Sequence, residues 1–370
     1  MIDRKIALCH EWLTTFGGSD LTAARIAKVL DVDAVFTFTS EPSLVDELFD
    51  DIPVKLAARW GAWSPVRKHW QWFLIGMPSA WRRLDLTAYD VVVTSSHACT
   101  NAIRTRADSL HVSYCYTPMR YAWDWRQEIG RFPAPVRPVW PIVALALRRA
   151  DYRWAQRVDH FIAISKAVAR RIFRNYGREA TVVYPPVDTD FFTPGDGDSD
   201  DFYLAAGRLV GYKRFDVVVE AFRNLDRRLV VAGSGPELSR LRSMAGPNVS
   251  FEIQPTSAAL RDLYRRARAL VFPGIEDFGI VPVEAQACAT PVIAQDAGGA
   301  VETVRDGVTG LLYTGESPAA LIEAVTAFEG LHLQPDAIRV NSERFAAEVF
   351  DTAFLRTVME ITKASSGHPA

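Results

Sequence analysis

Short apolar segments alternate with helix-like segments along almost the whole chain. The strand candidates of the first half are KIALCH (5–10), AVFTF (34–38), VVVTS (91–95), VSYCY (112–116), FIAIS (161–165) and TVVYP (181–185). Those of the second half are FYLAAG (202–207), RLVVAG (228–233), VSFEI (249–253), ALVFPG (269–274), PVIAQ (291–295) and GLLYT (310–314). Continuously apolar strands belong to sheets that are covered on both faces. The alternation therefore predicts an α/β fold with parallel sheets, and it occurs twice.

The two series are separated by PPVDTDFFTPGDGDSDD, residues 185–201, which is rich in Pro, Gly and Asp and has no period. Such a segment is typical of a connection between domains. We expect a Rossmann-like domain over residues 1–190, a linker over 191–201 and a second Rossmann-like domain over 202–345. A C-terminal helix over 346–370 is expected to cross back to the first domain. The two doubly wound sheets are expected to face a central cleft, with ligands at the carboxyl ends of their strands.

Composition excludes several classes of protein. A chain of 370 residues that is 49% hydrophobic and 23% charged is too apolar to be disordered and long enough for two cores. Its four cysteines lack the close pairs of zinc or redox motifs, which predicts buried thiols in a reducing compartment. The N-terminal apolar stretch is too short for a signal peptide, and no run reaches about 18 apolar residues. We therefore expect a cytoplasmic protein without a membrane span.

Positive charge is concentrated in the first half of the chain. Residues 1–190 hold 25 Lys or Arg against 20 Asp or Glu, whereas the rest holds 17 against 24. Residues 59–83 contain five tryptophans, five basic residues and no acid. Tryptophan beside cations suits the headgroup layer of an anionic membrane, although a Trp-rich helical pair packed in a core is an equally open interpretation. We expect peripheral association with the inner face of the cell membrane and no nucleic-acid partner.

The segment PGIEDFGIVPVEAQACATPVIA, residues 273–294, places two glutamates around the start of a helix. Pro282 suits the first turn of that helix, and the free amides near Gly279 and Ile280 would attract an anion. Glu276 and Glu284 cannot bind phosphate, but carboxylates accept hydrogen bonds from sugar hydroxyls. The pattern fits a ligand with a sugar on each side of a diphosphate. The alternative is that Asp277 and Glu284 are only favourable charges in the first turn of a helix.

Two further segments could contact the same ligand. In AAGRLVGYKRFD, residues 205–216, Arg208 and Lys213 follow a strand and could neutralise a diphosphate, or they could be surface charges. In HEWLTTFGGSD, residues 10–20, Gly17 and Gly18 allow close approach of the backbone to a ligand.

These motifs together resemble the retaining GT-B glycosyltransferases of family 4, also called group 1. The resemblance rests on GRL followed by Lys213, on GSGPE, on the two glutamates eight positions apart and on the DAGG…DG…G run at 296–310. It extends through the GGS loop, VVVTSSHA and VVYPPVDTDFF of the first half. The segments YCYTPMRYAWD (114–124) and GYKRFD are similar to bacterial mannosyltransferases that use GDP-mannose.

The resemblance implies a role for each residue. Glu276 would hold the hydroxyls of the donor sugar and Glu284 the nucleoside ribose, while Arg208 and Lys213 would bind the diphosphate with the amides near Gly17, Gly18, Gly279 and Ile280. His97 would lie beside the transferred sugar, although a histidine there could also be structural.

The implied reaction is the metal-independent transfer of a hexose, with retention, to a hydroxyl of a lipid-linked saccharide. The implied partners are a nucleotide-diphosphate sugar donor and that acceptor, with no cofactor. The N-terminal domain would bind the acceptor, and its candidate contacts are Arg120, Tyr121, Trp123 and Asp124. A nucleotide-sugar 2-epimerase and a non-catalytic nucleotide-sugar-binding protein are the alternatives.

Overall fold

The computed structural model describes residues 4–14, 16–131, 134–195, 197 and 200–366. Its contacts divide the chain into two compact units. The first unit comprises Met1–Tyr184 together with Phe350–Ala370, and the second comprises Pro185–Val349. Residues 196, 198 and 199 of the predicted linker lie outside the described residues, as do residues 1–3, 15 and 132–133 of the predicted first domain and residues 367–370 of the predicted C-terminal helix.

The described residues of the first unit form a seven-stranded sheet in which every pairing is parallel. Its strands are β1 (Ile6–His10), β2 (Ala34–Thr37), β3 (Val54–Leu56), β4 (Val91–Ser96), β5 (Leu110–Cys115), β6 (His160–Ala163) and β7 (Ala180–Val182). Their order across the sheet is β3-β2-β1-β4-β5-β6-β7. The winding therefore reverses between β1 and β4, which is the position where such sheets bind ligands.

Strand β3 has no counterpart among the predicted strands. Its three residues form the edge of the sheet, and none of them is fully buried. Because a short edge strand has no continuous apolar run, its sequence VKL could not signal it.

Helices connect these strands. They are α1 (Gly18–Leu30), α2 (Pro42–Leu48), α3 (Ser64–Lys68), α4 (Met77–Arg83), α5 (Arg120–Trp123), α6 (Trp125–Glu128), α7 (Trp140–Ala155) and α8 (Lys166–Tyr176). Short 3₁₀ segments cover Arg59–Ala62, Trp70–Phe73, Thr100–Ala102, Ile129–Arg131 and Ala134–Val139. The Trp-rich segment at 59–83 is thus a series of short α- and 3₁₀-helical segments, with Trp81 fully buried and Trp63 and Trp72 exposed.

The second unit has a six-stranded sheet, again with all pairings parallel. Its strands are β8 (Phe202–Ala206), β9 (Arg228–Ala232), β10 (Val249–Glu252), β11 (Ala269–Phe272), β12 (Val292–Gln295) and β13 (Gly310–Tyr313), in the order β10-β9-β8-β11-β12-β13. Its helices are α9 (Phe215–Arg223), α10 (Leu238–Met244), α11 (Ser257–Arg266), α12 (Ile280–Ala287), α13 (Ala300–Thr303), α14 (Pro318–Phe328) and α15 (Pro335–Glu343), and a 3₁₀ turn covers Gly211–Lys213.

Strand β8 shows why these sheets must be covered on both faces. Phe202 and Leu204 belong to one apolar cluster, whereas Tyr203 and Ala205 belong to another on the opposite face. Successive side chains of a strand point to opposite faces, so a strand that is apolar throughout needs helices on both sides. The predicted fold class, two doubly wound parallel sheets, is confirmed in each unit.

From Phe350 onward, the last helix, α16 (Ala347–Ser366), belongs to the first unit. Phe350 and Phe354 stack on each other and meet the ring of Tyr114, at centroid distances of 5.9 and 5.5 Å. Asp351 accepts two hydrogen bonds from the guanidinium of Arg25, at 2.7 and 2.6 Å. These contacts bind the end of the chain to α1 and β5 of its first unit.

We expect Phe354→Ala to destabilise the first unit by about 3–5 kcal/mol, because it leaves a cavity beside Tyr114 where a fully buried ring now packs. Denaturant unfolding of the full chain, followed by fluorescence, measures the change. Arg356→Ala on the exposed side of the same helix is the control and should stay within about 0.5 kcal/mol of wild type. Equal losses in the two variants would contradict the packing role of Phe354.

Candidate functional site

The candidate site of the second unit lies where its winding reverses, between β8 and β11. Parallel strands end at the same edge of a sheet, so the loops that follow these two neighbouring strands meet there. One loop, residues 207–214, carries Arg208 and Lys213. The other, residues 273–279, carries Glu276. Residues far apart in sequence thus converge through strand order alone.

Lys213 and Glu276 form the central contact of the site. Lys213 Nζ lies 2.8 Å from Glu276 Oε1, and both side chains are largely buried. Burial acts to lower the pKa of Lys213, but the nearby Glu276 carboxylate and its hydrogen bond outweigh burial and leave the pKa raised. Lys213 is therefore a charged ammonium at neutral pH. The pair places a cation and a hydroxyl-accepting carboxylate side by side.

The two loops approach so closely that a glycine is needed between them. A Cβ on Gly274 would lie 3.0 Å from Lys213 Cα and 3.2 Å from its carbonyl oxygen. Any side chain there would push the Lys213 loop away from the Glu276 loop. On its other side, the Glu276 loop is fixed by the amide of Gly299, which donates to the Glu276 carbonyl at 2.8 Å. The DAGG segment therefore supports the position of Glu276.

Helix α12 starts directly after this loop. Its N-cap is Gly279 with a φ of 93°, a left-handed conformation that favours glycine, and Ile280 is its first residue. The first amides of a helix have no partner within it and can bind an anion. The structure thus places the helix start next to Glu276, as the sequence predicts.

Glu284 lies one turn into α12 and is half-buried. Its Oε2 accepts a hydrogen bond from the buried Tyr264 hydroxyl at 3.0 Å. Burial raises the pKa of Glu284 to about 7, against the opposing effects of Tyr264 and Lys213. Tyr264 thereby fixes one oxygen of the carboxylate.

Arg208 is the second residue after β8, following Gly207, and its side chain is exposed. Repulsion from the Arg208 guanidinium acts to lower the pKa of Lys213, so the two cations lie near each other. Among the described residues, no group of three or more His, Cys, Asp or Glu is arranged to hold a metal ion.

In the first unit, His97 follows β4 at the other reversal of winding. Its ring meets Trp12 edge to face at 4.7 Å and lies 6.4 Å from His10. Burial, with the charges of His10 and Arg120, lowers the pKa of His97 to about 3. The imidazole is therefore neutral at physiological pH.

A buried polar network contacts the first turn of α1, where Gly17 and Gly18 lie. Gly17 is the N-cap of α1, and Gly18 is its first residue. His10 Nε2 lies 2.9 Å from Asp20 Oδ1 in the first turn of α1, while His10 Nδ1 lies 2.9 Å from Ser95 Oγ of β4. This network joins the glycine loop to the strand that leads to His97.

The four acceptor-side candidates lie on or beside the short helix α5. Arg120 is close enough to influence His97, and Tyr121 packs in the core with its side chain 5% exposed. Trp123 donates its indole N–H to Asp151 Oδ2 at 2.7 Å. Trp123 and Asp124 line a cavity of about 370 Å³ together with Trp125, Arg126 and Arg148.

Sequence reasoning did not single out Glu11, Asp20 or Tyr264. Glu11 is fully buried and Asp20 is 5% exposed, although acidic side chains are rarely buried without partners. The signal available for Glu11 was an acid directly after a buried strand, next to His10. No feature of the sequence indicated a role for Tyr264, because its contact with Glu284 depends on the packing of α11 against α12.

The raised pKa of Glu284 predicts a pH-dependent stability. Its carboxyl binds a proton more tightly in the folded than in the unfolded state, so its contribution is full below about pH 4.5 and is lost as pH rises through about 7. We expect the melting temperature of wild type to fall relative to that of Glu284→Gln between pH 5 and 8. Glu220→Gln, on an exposed position of α9, is the control and should follow wild type. Parallel curves for wild type and Glu284→Gln would contradict the raised pKa.

Two family models each match a different part of the chain. The model described as "Glycosyltransferase Family 4" matches residues 17–191, and the model described as "Glycosyl transferases group 1" matches residues 187–343. The two matches follow each other along the chain and correspond to its two sheets.

Curated relatives carry the name D-inositol 3-phosphate glycosyltransferase. One from Catenulispora acidiphila is 33% identical over 235 residues, which is 55% of this chain and 54% of the relative. One from Mycobacterium tuberculosis is 32% identical over 192 residues, which is 45% of this chain and 40% of the relative. In these matches the chain spans about half the length of the relatives or less.

Solved structures cover nearly the whole chain. HepE of Anabaena, in complex with UDP and glucose, has a TM-score of 0.70 at 19% identity and covers 96% of this chain and 99% of its own. Sucrose-phosphate synthase from Thermosynechococcus elongatus has a TM-score of 0.73 at 18% identity and covers 98% and 100%. With both family models matched in sequence order, the chain has the GT-B fold of the group 1 and family 4 glycosyltransferases.

Proposed function

We propose that the protein is a retaining glycosyltransferase that transfers a hexose from a nucleotide-diphosphate sugar to a hydroxyl of a lipid-linked saccharide. The donor that we propose is GDP-mannose. The observation that carries the proposal is the 2.8 Å pair of Lys213 and Glu276 at the reversal of winding, with Arg208 and the start of α12 beside it.

Each side chain of that set has a task in sugar transfer. Lys213 and Arg208 would neutralise the diphosphate as its bond to the sugar breaks, and the first amides of α12 would assist them. No metal ion is needed for that charge in the proposed reaction. A carboxylate has about four acceptor positions, so the Lys213 contact leaves Glu276 able to accept hydroxyls of the hexose. Glu284 would hold the ribose.

The proposed reaction exchanges one bond for another at the anomeric carbon. The bond between that carbon and the diphosphate oxygen breaks, and a bond to the acceptor oxygen forms on the same face. The acceptor proton passes to the departing phosphate oxygen, so no side chain has to accept it. The protein supplies position and charge. Neutral His97, with its pKa lowered to about 3, would contact the transferred sugar as an uncharged hydrogen-bonding group.

The names of the curated relatives support a second acceptor, an inositol phosphate. Its ring presents hydroxyls like those of a saccharide, and its phosphate would suit the basic first unit. Assays with GDP-mannose and with UDP-glucose, each in the presence of inositol 3-phosphate or of a lipid-linked saccharide, separate these possibilities.

We expect Glu276→Ala to lower transfer by about 100-fold or more, because a charge-stabilising contact to the reacting sugar is lost. Lys213→Ala should lower transfer and also weaken the thermal stabilisation that GDP gives the protein, since the cation contacts the diphosphate. Glu329→Ala is a matched control, because it removes a 2.6 Å ion pair with Arg227 next to the amino end of β9 in the same unit. Transfer should be unchanged in that variant.

Three outcomes would contradict the proposal. Full activity of Glu276→Ala would remove this residue from the site. Release of an altered sugar from donor and water alone would favour a 2-epimerase. Stabilisation by GDP, UDP, ADP or dTDP without transfer to any acceptor would favour a non-catalytic binding protein.

We further propose that the first unit binds the inner face of the cell membrane. Trp63, Trp72 and Ile75 are 62%, 64% and 61% exposed, and the segment around them contains basic residues and no acid. On α7, Ile142 and Leu145 are also exposed, at 74% and 48%. Exposed tryptophan beside cations fits the surface of an anionic bilayer. No helix among the described residues is long and apolar enough to cross a membrane.

We expect the protein to sediment with vesicles that contain phosphatidylglycerol and much less with pure phosphatidylcholine vesicles. The double variant Trp63→Ser, Trp72→Ser should weaken binding by about tenfold or more, because two interfacial rings are lost. Val340→Ser, at a position of the second unit that is 60% exposed, is the control and should bind like wild type. Wild-type binding by the double variant would rule out this surface.

A further inference from the structure

Glu11 is a fully buried carboxylate that the proposed reaction does not use. It follows β1 directly, and its Oε1 accepts hydrogen bonds from the loop that follows β4. The donors are the amides of Ala98 at 2.7 Å, Thr100 at 3.1 Å and His97 at 3.3 Å, and the hydroxyl of Thr100 at 3.0 Å. Oε1 of Glu11 thus accepts hydrogen bonds from three backbone amides and one hydroxyl of this loop.

A buried carboxylate is costly unless its hydrogen bonds compensate for the lost water. Burial raises the pKa of Glu11, and the amide and hydroxyl bonds from Ala98 and Thr100 oppose that rise. Backbone amides that converge on one oxygen fix the dihedral angles of the residues that carry them. Three amides and one hydroxyl of residues 97–100 thus have Glu11 as their common acceptor.

His97 depends on that loop for its position. Its Nδ1 is buried and has no hydrogen-bond partner among the described residues. Its ring is surrounded by aromatic side chains, with Trp12 at 4.7 Å and Tyr116 at 6.0 Å. The neighbouring aromatic rings restrict the imidazole of His97 laterally. The backbone of His97 is held by the hydrogen bond that its amide donates to Glu11.

We propose that Glu11 is a positioning residue that holds His97 at the transferred sugar through the backbone of residues 97–100. This inference rests on the proposed function for its catalytic consequence. The structural part of the inference, that Glu11 determines the position of the His97 ring, does not depend on the proposed function. The two parts can therefore be tested separately.

The test compares Glu11→Ala, Glu11→Gln and Asp33→Ala in the full chain. Asp33 is the matched control, because its carboxylate accepts the amide of Ile6 at 2.7 Å and so holds the opposite end of β1. Glu11→Gln keeps a carbonyl oxygen for the loop and turns its amide toward Cys99 Sγ, which lies 3.9 Å from Glu11 Oε2.

We expect Glu11→Ala to lower kcat by about 100-fold, as a displacement of about 1 Å can do, with stabilisation by GDP unchanged. Glu11→Gln should stay within about fivefold of wild type, because it retains the acceptor. Asp33→Ala should have a lower melting temperature than wild type but an unchanged kcat. A fall in kcat for Asp33→Ala equal to that of Glu11→Ala would show a merely structural role and overturn the inference.

The position of His97 is measured without catalysis by NMR of the histidine rings, using the signal that is absent in His97→Gln. That signal should move in Glu11→Ala and remain in Glu11→Gln and Asp33→Ala. An unmoved signal in Glu11→Ala overturns the inference whatever the activity. If wild type transfers no sugar, the proposed function fails while the NMR result still decides the role of Glu11.

Should Glu11→Ala not fold, Thr100→Val removes one donor of the turn and keeps its backbone. It should shift the same His97 signal and lower kcat by about threefold to tenfold, in line with one lost hydrogen bond. An unchanged signal and an unchanged kcat in that folded variant would also contradict the positioning role of Glu11.

Discussion

Parallel strand pairing is the constraint on which the rest of this structure depends. Because all strands of a sheet run the same way, every loop that leaves a carboxyl end arrives at one edge. Where the winding reverses, two such loops meet without a helix between them. The contact of Lys213 with Glu276 in one sheet and of Glu11 with the His97 turn in the other both arise in this way.

Three buried or half-buried carboxylates are stabilised by different partners. Glu276 lies against an ammonium, Glu284 accepts from a tyrosine hydroxyl, and Glu11 is surrounded by amides. Burial raises the pKa of Glu284 and of Glu11, because the hydrogen bonds from their neutral partners only partly oppose it. In the proposed function, the same functional group would bind hydroxyls of the donor hexose at Glu276, bind the ribose at Glu284 and hold a turn at Glu11.

The sequence predicted the sheets and the loops of the second unit well, because both depend on local patterns. Apolar runs such as those ending at Gly207 and Gly274 indicate strands, and the charged residues after them indicate a site. Glu11 and Tyr264 could not be found in this way, since their roles depend on which loops and helices become neighbours in space. That Trp72 is exposed and Trp81 is buried was also beyond prediction, because the series of short helical segments at 59–83 has no regular period.

The contribution of α16 to the first unit affects how the protein is made. Translation must produce the 165 residues of Pro185–Val349 before the ring of Phe354 can reach Tyr114. At ordinary elongation rates this delay is roughly 10–30 s, during which the surface of β5 lacks its covering helix. The unit encoded first is thus completed last, because its final helix is translated after the whole of the continuous second unit.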